Sequence, residues 1–345
     1  MNNNMTTERI KTERPSSSAV TKSDGQHWVI AGAGAIGIWI GAHLVAGGQK
    51  VTFLARPKVI SNIQQHGVLL TSWAGEETQL SALQMQMTED ESCLADADVI
   101  VVAVKSKDTF AMAEQISRHI KPHARVISAQ NGINNASALS NILPDHPVAS
   151  MMVPYNVLPM DAGRYHCGTQ GHLVIDRIFT DLAKVIRSSG LEIQTADDMH
   201  EILWGKLLLN LNNPLNALSG VPLVEELSDK RWRKQLADCI DETLTILDEL
   251  GIQPKVQAPI PASWLPAILK LPTFIFKRVA KKMLQMDPLA RSSMQEDIML
   301  GRPTEIDYIN GEVVRYARSL GMNAPFNEMV ISQIKRLEQT AQSAC

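Results

Sequence analysis

The stretch Trp28–Gly37, WVIAGAGAIG, constrains this chain most. Four apolar residues lead into Gly32, Gly34 and Gly37, spaced G-x-G-x-x-G, and the run Ile38–Ala46 follows. In a strand–turn–helix unit each glycine has its own task. The first makes the tight turn, the second lets backbone approach a pyrophosphate, and the third packs helix on strand. Unpaired N–H groups at the start of such a helix face phosphate oxygens. Gly47-Gly48 closes the run, and Lys50–Leu54 reads as a second strand. That order distinguishes a nucleotide site from an ordinary glycine turn. Cofactor contacts are expected along Gly32, Ala33, Gly34, Ala35, Ile36 and Gly37.

At 345 residues the chain is long for one domain. Residues 28–196 alternate strand and helix signals, and residues 197–345 carry helical periodicity alone. This pattern predicts an α/β N-terminal Rossmann domain followed by an all-α C-terminal domain. Expected strands are Val99–Val104, Arg125–Ala129, Pro147–Val153 and Leu191–Thr195, with a helix over Ile178–Ser188 and a hairpin between Gly163 and Ile175. Expected helices are Met199–Leu218, Ser228–Leu250, Ala290–Leu300, Pro303–Leu320 and Asn327–Gln339, with a loop or broken helical insert over Gly251–Pro272. Residues 1–27 are polar, lack the apolar core of a signal peptide, and read as a disordered tail.

The net charge of -3 gives no reason to invoke nucleic acid or an anionic membrane as partner. No apolar run reaches the roughly 18 residues of a membrane span. Cys93, Cys167, Cys239 and Cys345 lie far apart, with no C-x-x-C pair and no Cys/His metal spacing. They read as reduced thiols of a cytoplasmic protein that holds no metal.

The end of the second strand normally carries the residue that reads the cofactor ribose: an acid for NAD, an arginine for the 2′-phosphate of NADP. Here the strand runs Phe53-Leu54-Ala55-Arg56, and no Asp or Glu lies between Lys50 and Ser61. Arg56 can fork onto a phosphate that a carboxylate would repel, so NADP (NADPH) is the expected cofactor. Lys105 ends the next long buried strand and Gln130-Asn131-Gly132 the one after, at the edge where open α/β sheets bind ligands. Lys105 would add a second cation near the 2′-phosphate, and Asn131 is a further cofactor candidate.

The second informative stretch is Ile202–Pro214, where Lys206, Asn210 and Asn213 fall at i, i+4 and i+7, one stripe of a helix. Leucines flank the stripe on both sides. Asparagine is a poor helix former with nothing to gain on a wet face, and a buried polar stripe needs partners, which a substrate can supply. A lysine among leucines is desolvated, so its pKa should fall into the range of a general acid. Pro214 cannot donate to the carbonyl of Asn210, so a bend is expected there. Asn216, about 80° off the stripe, is a weaker candidate. Toward the C-terminus, Gly301 and Pro303 separate two helices, with Glu305 expected in the first turn of the second.

With these residues in view, the chain resembles the ketopantoate reductase (2-dehydropantoate 2-reductase) family. The likeness runs through the GAGAIG loop, Lys105, Gln130-Asn131-Gly132, Trp204-Gly205-Lys206, Ser292-Ser293-Met294 and Thr304–Gly311. It covers nearly everything after the tail. The resemblance implies NADPH-dependent reduction of ketopantoate to pantoate in pantothenate synthesis, in a cleft between a Rossmann and a helical domain. It implies Lys206 as general acid and Glu305 beside it and the nicotinamide ribose. Asn210 and Ser293 would bind substrate, Ser293 at its carboxylate, while Lys105 and Asn131 would hold cofactor.

Two departures fall on the substrate side. The family usually places a second substrate asparagine four residues after the first, then proline; here Pro214 already occupies that place, and Asn213 comes one residue early. A glutamate common beyond the Asn-Gly turn is missing from Ile133–Ser137, and Gly251–Met286 is longer than in the smallest members. Two rivals remain beside the ketopantoate reading: a reductase of the same fold for another 2-keto acid or an imine, and an NADPH-sensing binding protein without turnover. The sequence leaves the oligomeric state open, a homodimer among the options.

Overall fold

A parallel strand–helix–strand unit opens the computed structural model, which describes residues 25–258, 260–281, 287–288 and 290–343. β1 (His27–Ala31) leads through α1 (Ala35–Ala46) to β2 (Lys50–Leu54). Then come α2 (Pro57–His66), β3 (Val68–Ser72), β4 (Glu77–Leu80), β5 (Gln86–Thr88), β6 (Val99–Val102), α3 (Thr109–His119), β7 (Arg125–Ser128) and α4 (Asn135–Ile142). The α/β half finishes with β8 (Val148–Met152), β9 (Val157–Pro159), β10 (Arg164–Cys167), β11 (Leu173–Asp176), α5 (Thr180–Ser188) and β12 (Ile193–Ala196). The expected tail falls mostly outside the described residues, as does Cys345; the first strand begins at His27.

The main sheet has eight strands in the order β12-β11-β8-β7-β6-β1-β2-β5. β5, β2, β1, β6, β7 and β8 pair in parallel, while β11 runs antiparallel to β8 and carries β12 beside it in parallel. β1 and β6 are buried along their whole length, as sequences apolar on both faces require. The chain leaves β1 first toward β2 and later toward β6, so the switch point of the sheet lies at the carboxyl end of β1, where Gly32 begins.

The expected hairpin between Gly163 and Ile175 does not form. β10 pairs with β3 and β9 in a separate four-stranded sheet of order β4-β3-β10-β9, whereas β11 joins the main sheet. The alternation in Arg164–Cys167 buries Tyr165 and Cys167 over α1. That cover explains α1 itself. Its sequence is apolar all round, and Ile38, Trp39, Ile40 and Leu44 are all buried, between the main sheet and the small one.

After Ala196 the described residues form helices. They are α6 (Met199–Asn210), α7 (Asn212–Ser219), α8 (Leu223–Ser228), α9 (Lys230–Glu249), α10 (Leu265–Lys270), α11 (Thr273–Val279), α12 (Ser293–Met299), α13 (Asn310–Ser319) and α14 (Pro325–Ser343). The helix expected over Met199–Leu218 is interrupted at Leu211, three residues before Pro214, whose missing N–H leaves the Asn210 carbonyl out of the ladder. The helix expected from Pro303 starts only at Asn310. A 3-10 turn, Ile306–Tyr308, precedes it, and Ile309 at φ -112°, ψ -88° separates the two. Glu305 therefore lies in the loop ahead of that turn and not in a helical first turn.

Trp204, Leu208, Ile240, Phe276 and Val313 lie in the core of the helical half, and Ile133, Met152 and Val174 from the α/β half join the same cluster. The two halves therefore meet along an apolar seam.

The glycine turn is tight. Gly32 holds φ +105°, and a Cβ on Gly37 would sit 2.1 Å from the Gly32 carbonyl oxygen. Forcing atoms into such a contact costs about 1–3 kcal/mol or more. Gly37→Ala is expected to lower the thermal midpoint by several degrees; an unchanged melting curve would show that the turn yields freely.

Candidate active site

Lys206 sits on α6, one residue after Gly205. A Cβ on Gly205 would lie 2.0 Å from the carbonyl oxygen of Lys255. The segment after α9 thus lies directly on the helix, and the Lys255 amide donates to the Glu201 carbonyl at 2.9 Å. This packing fixes the rotation of α6. It directs the Lys206 ammonium across the seam, where it donates to Oδ1 of Asn131 at 2.8 Å and to the carbonyl oxygen of Val153.

Asn131 is itself held. Its carbonyl accepts from Oγ of Ser106 at 2.9 Å and from the Asn135 amide. The neighbouring Gln130 donates to Thr109 at 2.7 Å and to the Val104 carbonyl at 3.1 Å. Nδ2 of Asn131 then donates to Oε2 of Glu305 at 3.2 Å, and Oε1 of Glu305 accepts the Ser106 amide at 3.1 Å. The result is a chain from Lys206 through Asn131 to Glu305 that passes from the helical half to the α/β half and back. Lys206 and Glu305 form no direct ion pair. Burial pushes the Lys206 ammonium down to about 8, against the pull of the Glu305 charge. A lysine in that state donates a proton readily near neutral pH.

The cofactor edge fits a dinucleotide. Gly34 is exposed, and a Cβ there would meet open space. α1 follows with no side-chain cap on its first amides, so Ala35, Ile36 and Gly37 can turn N–H groups to an anion. Ala33, by contrast, is buried. Arg56 stands just past β2 with its side chain 88% exposed and 3.9 Å from Asp108. Lys105 engages a different carboxylate, Asp297 of α12 at 2.7 Å, and the Pro303 carbonyl at 3.2 Å. It ties the two halves together.

Beyond Lys206 along the chain, the half-buried amides of Asn210 and Asn213 make no side-chain hydrogen bond among the described residues. Ser293 opens α12 with its side chain exposed. Asn216 is wholly buried and turned into the protein, bonded to Val221, Glu226 and Ser292. No group of three His, Cys, Asp or Glu with metal-binding geometry occurs among the described residues.

Sequence reasoning missed Ser106, Asn135 and the Val153 carbonyl, and it placed Gln130 at the ligand-binding edge of the sheet without giving it a role. The partners of Asn131 are supplied by folding and have no local pattern.

A Rossmann-type half, a helical half and a half-buried lysine at their junction define a pyridine-nucleotide-dependent oxidoreductase. The family model described as ketopantoate reductase PanE/ApbA matches residues 28–178, and its C-terminal counterpart matches residues 198–338. The chain belongs to the ketopantoate reductase family. It is 23% identical to the 2-dehydropantoate 2-reductase of Archaeoglobus fulgidus, over 90% of this chain and 97% of that protein. Against the Pyrococcus abyssi enzyme of the same name the identity is 25%, over 90% and 97%. Among solved structures, a PanE/ApbA family ketopantoate reductase from Ralstonia eutropha JMP134 superposes with a TM-score of 0.77 at 27% identity, covering 92% of this chain and 99% of that one. D-mandelate dehydrogenase, solved with NADH and anilino(oxo)acetate, shares the fold with a TM-score of 0.75 at 21% identity, over 91% and 99%.

The Lys206–Asn131–Glu305 chain sets a pH dependence. Turnover in the reductive direction is expected to fall as pH rises through about 8, where Lys206 loses its proton. Glu305→Gln removes the charge that favours the protonated form, so the falling limb should move to lower pH. A limb that stays in place, or moves up, would separate Glu305 from the titration of Lys206.

Proposed function

We propose that this chain uses NADPH to reduce a 2-keto acid, and that the substrate is ketopantoate, converted to pantoate for pantothenate synthesis. The observation that carries the reading is the Lys206 ammonium, bonded to Asn131 and Val153 and lowered to about 8. When bound, the nicotinamide supplies a hydride to the keto carbon. Lys206 gives its proton to the developing alkoxide oxygen, and the Asn131 and Val153 acceptors aim the ammonium. Glu305 moderates the acidity of that group through its charge. Asn210 and Asn213, whose amides are unengaged among the described residues, bind the keto acid, and Ser293 binds its carboxylate through the hydroxyl. An NADPH sensor without turnover would have no use for a lysine desolvated in this way.

Arg56 supports NADPH over NADH, since an exposed guanidinium just past β2 can take the 2′-phosphate. The cytoplasm is proposed as the compartment, because Cys93, Cys167 and Cys239 are free thiols.

One observation favours a second reading, a different 2-keto acid. Asn213 comes one residue early, and the interruption at Leu211 separates its helix from that of Lys206. Its amide therefore approaches the substrate from a direction that a continuous helix would not give.

NADPH oxidation across a panel of 2-keto acids tests both readings. Ketopantoate should give the highest kcat/KM, well above 2-ketoisovalerate, which lacks the hydroxymethyl group. Asn213→Ala should erase most of that preference. A wild type indifferent between the two would favour the second reading, and no oxidation with any keto acid would sink the function altogether. On the cofactor side, Arg56→Asp should weaken NADPH binding by roughly 10–100-fold, the scale of a lost hydrogen bond to a charged group. NADH binding should barely change; equal losses for both would show that Arg56 does not read the phosphate. Lys206→Ala should cut kcat by on the order of 10²–10⁴ and leave NADPH affinity intact.

A further inference from the structure

Glu226 on α8 is wholly buried, and no cation pairs with it among the described residues. Its Oε2 accepts from Nδ2 of Asn212 at 3.1 Å and from Nδ2 of Asn216 at 3.2 Å. Its Oε1 has no hydrogen-bond partner among the described residues. Burial pushes this carboxyl up to about 7, against the two amide bonds. A group of this kind is costly to keep inside a protein. Nothing in the proton donation by Lys206 uses it.

What it does is orient Asn216. The two donors on Nδ2 of Asn216 are spent on Glu226 and on the Val221 carbonyl at 2.9 Å. That leaves Oδ1, the sole side-chain acceptor, facing the backbone N–H of Ser292 at 2.9 Å. A flipped amide would set donor against donor at Ser292 and oxygen against oxygen at Glu226 and Val221, so Glu226 joins these two backbone groups in fixing the orientation. Ser292 is gripped on its other side as well. Its Oγ donates to the Asn213 carbonyl at 3.0 Å and accepts the Gln295 amide at 3.2 Å, capping α12.

The two ends of this network adjoin the proposed substrate groups. Asn213 follows Asn212, and Ser293 follows Ser292. We infer that Glu226 is a positioning residue for the 2-keto acid: through Asn212, Asn216 and Ser292 it sets Asn213 against Ser293. The substrate role rests on the proposed function; the grip on Ser292 does not. The network touches neither Lys206 nor the glycine turn, so its loss should register in substrate binding and leave proton donation and cofactor affinity alone.

The test uses the full-length protein with Glu226→Ala, Glu226→Gln and Ser293→Ala. Glutamine keeps an acceptor oxygen for the two amides. Amide hydrogen exchange in the peptide spanning residues 290–296 should speed up about tenfold in Glu226→Ala, the scale of a lost buried hydrogen bond, and stay near wild type in Glu226→Gln. KM for the keto acid should rise about tenfold in Glu226→Ala, with kcat and the NADPH dissociation constant within about twofold, and Glu226→Gln should restore it. In a Ser293→Ala background, Glu226→Ala should add little, because both act on one contact. Should Glu226→Ala fail to fold, Asn216→Ala carries the same two readouts. Unchanged exchange at residues 290–296, equal behaviour of the Ala and Gln variants, or a joint fall in kcat and NADPH affinity would overturn the inference. A wild type that reduces no keto acid would remove the proposed function, and the exchange measurement alone would then decide whether Glu226 holds Ser292.

Discussion

Lys206 has no carboxylate of its own among the described residues. Its ammonium is solvated by an amide oxygen and a backbone carbonyl, and the nearest chain to a negative charge passes through the neutral Asn131. This arrangement sets the acidity of the site. A carboxylate in direct contact would stabilise the ammonium and raise its pKa, while burial without any acceptor would expel the proton altogether. Asn131 keeps Glu305 one residue away, so that the charge tempers the desolvation without cancelling it.

That balance requires both halves of the chain. Lys206 and Glu305 come from the helical half, Asn131 and Ser106 from the loops after β7 and β6. The apolar seam of Ile133, Met152 and Val174 against the helical core brings them together, and the Lys105–Asp297 pair adds a polar tie. The same edge of the sheet presents Gly34, the open start of α1 and the Asn131 side chain to which Lys206 is bonded. The sheet supplies rigidity there: β1 and β6, which carry the turn and the Lys105–Ser106 loop, are buried along their whole length.

Much of this was legible because it depends on local spacing. The glycine turn, the buried strands and the helix that carries Lys206 all follow from neighbours within one or two turns of chain, and Pro214 announces the interruption at Leu211 that divides the Lys206–Asn213 stripe between two helices. The failures share a different cause. The Gly163–Ile175 segment shows the alternation of a hairpin, but its two strands join different sheets, and pairing partners such as Leu69 for Arg164 are remote in sequence. Glu305 was found as a residue and misplaced as structure, because the irregular backbone at Ile309 has no glycine or proline to mark it. Nothing near Lys105 in sequence announces Asp297, which it engages across the halves. Glu226 was invisible, since a buried carboxyl on a short helix looks like surface charge until its amide partners are known.

The protonation state of the Lys206 ammonium can be read directly. The rate of acetylation of Lys206 by acetic anhydride, followed by peptide mass spectrometry as a function of pH in the ligand-free protein, reports its titration. A midpoint near 8 is expected, well below that of exposed lysines in the same digest. A midpoint near the ordinary lysine value of about 10.4 would contradict it.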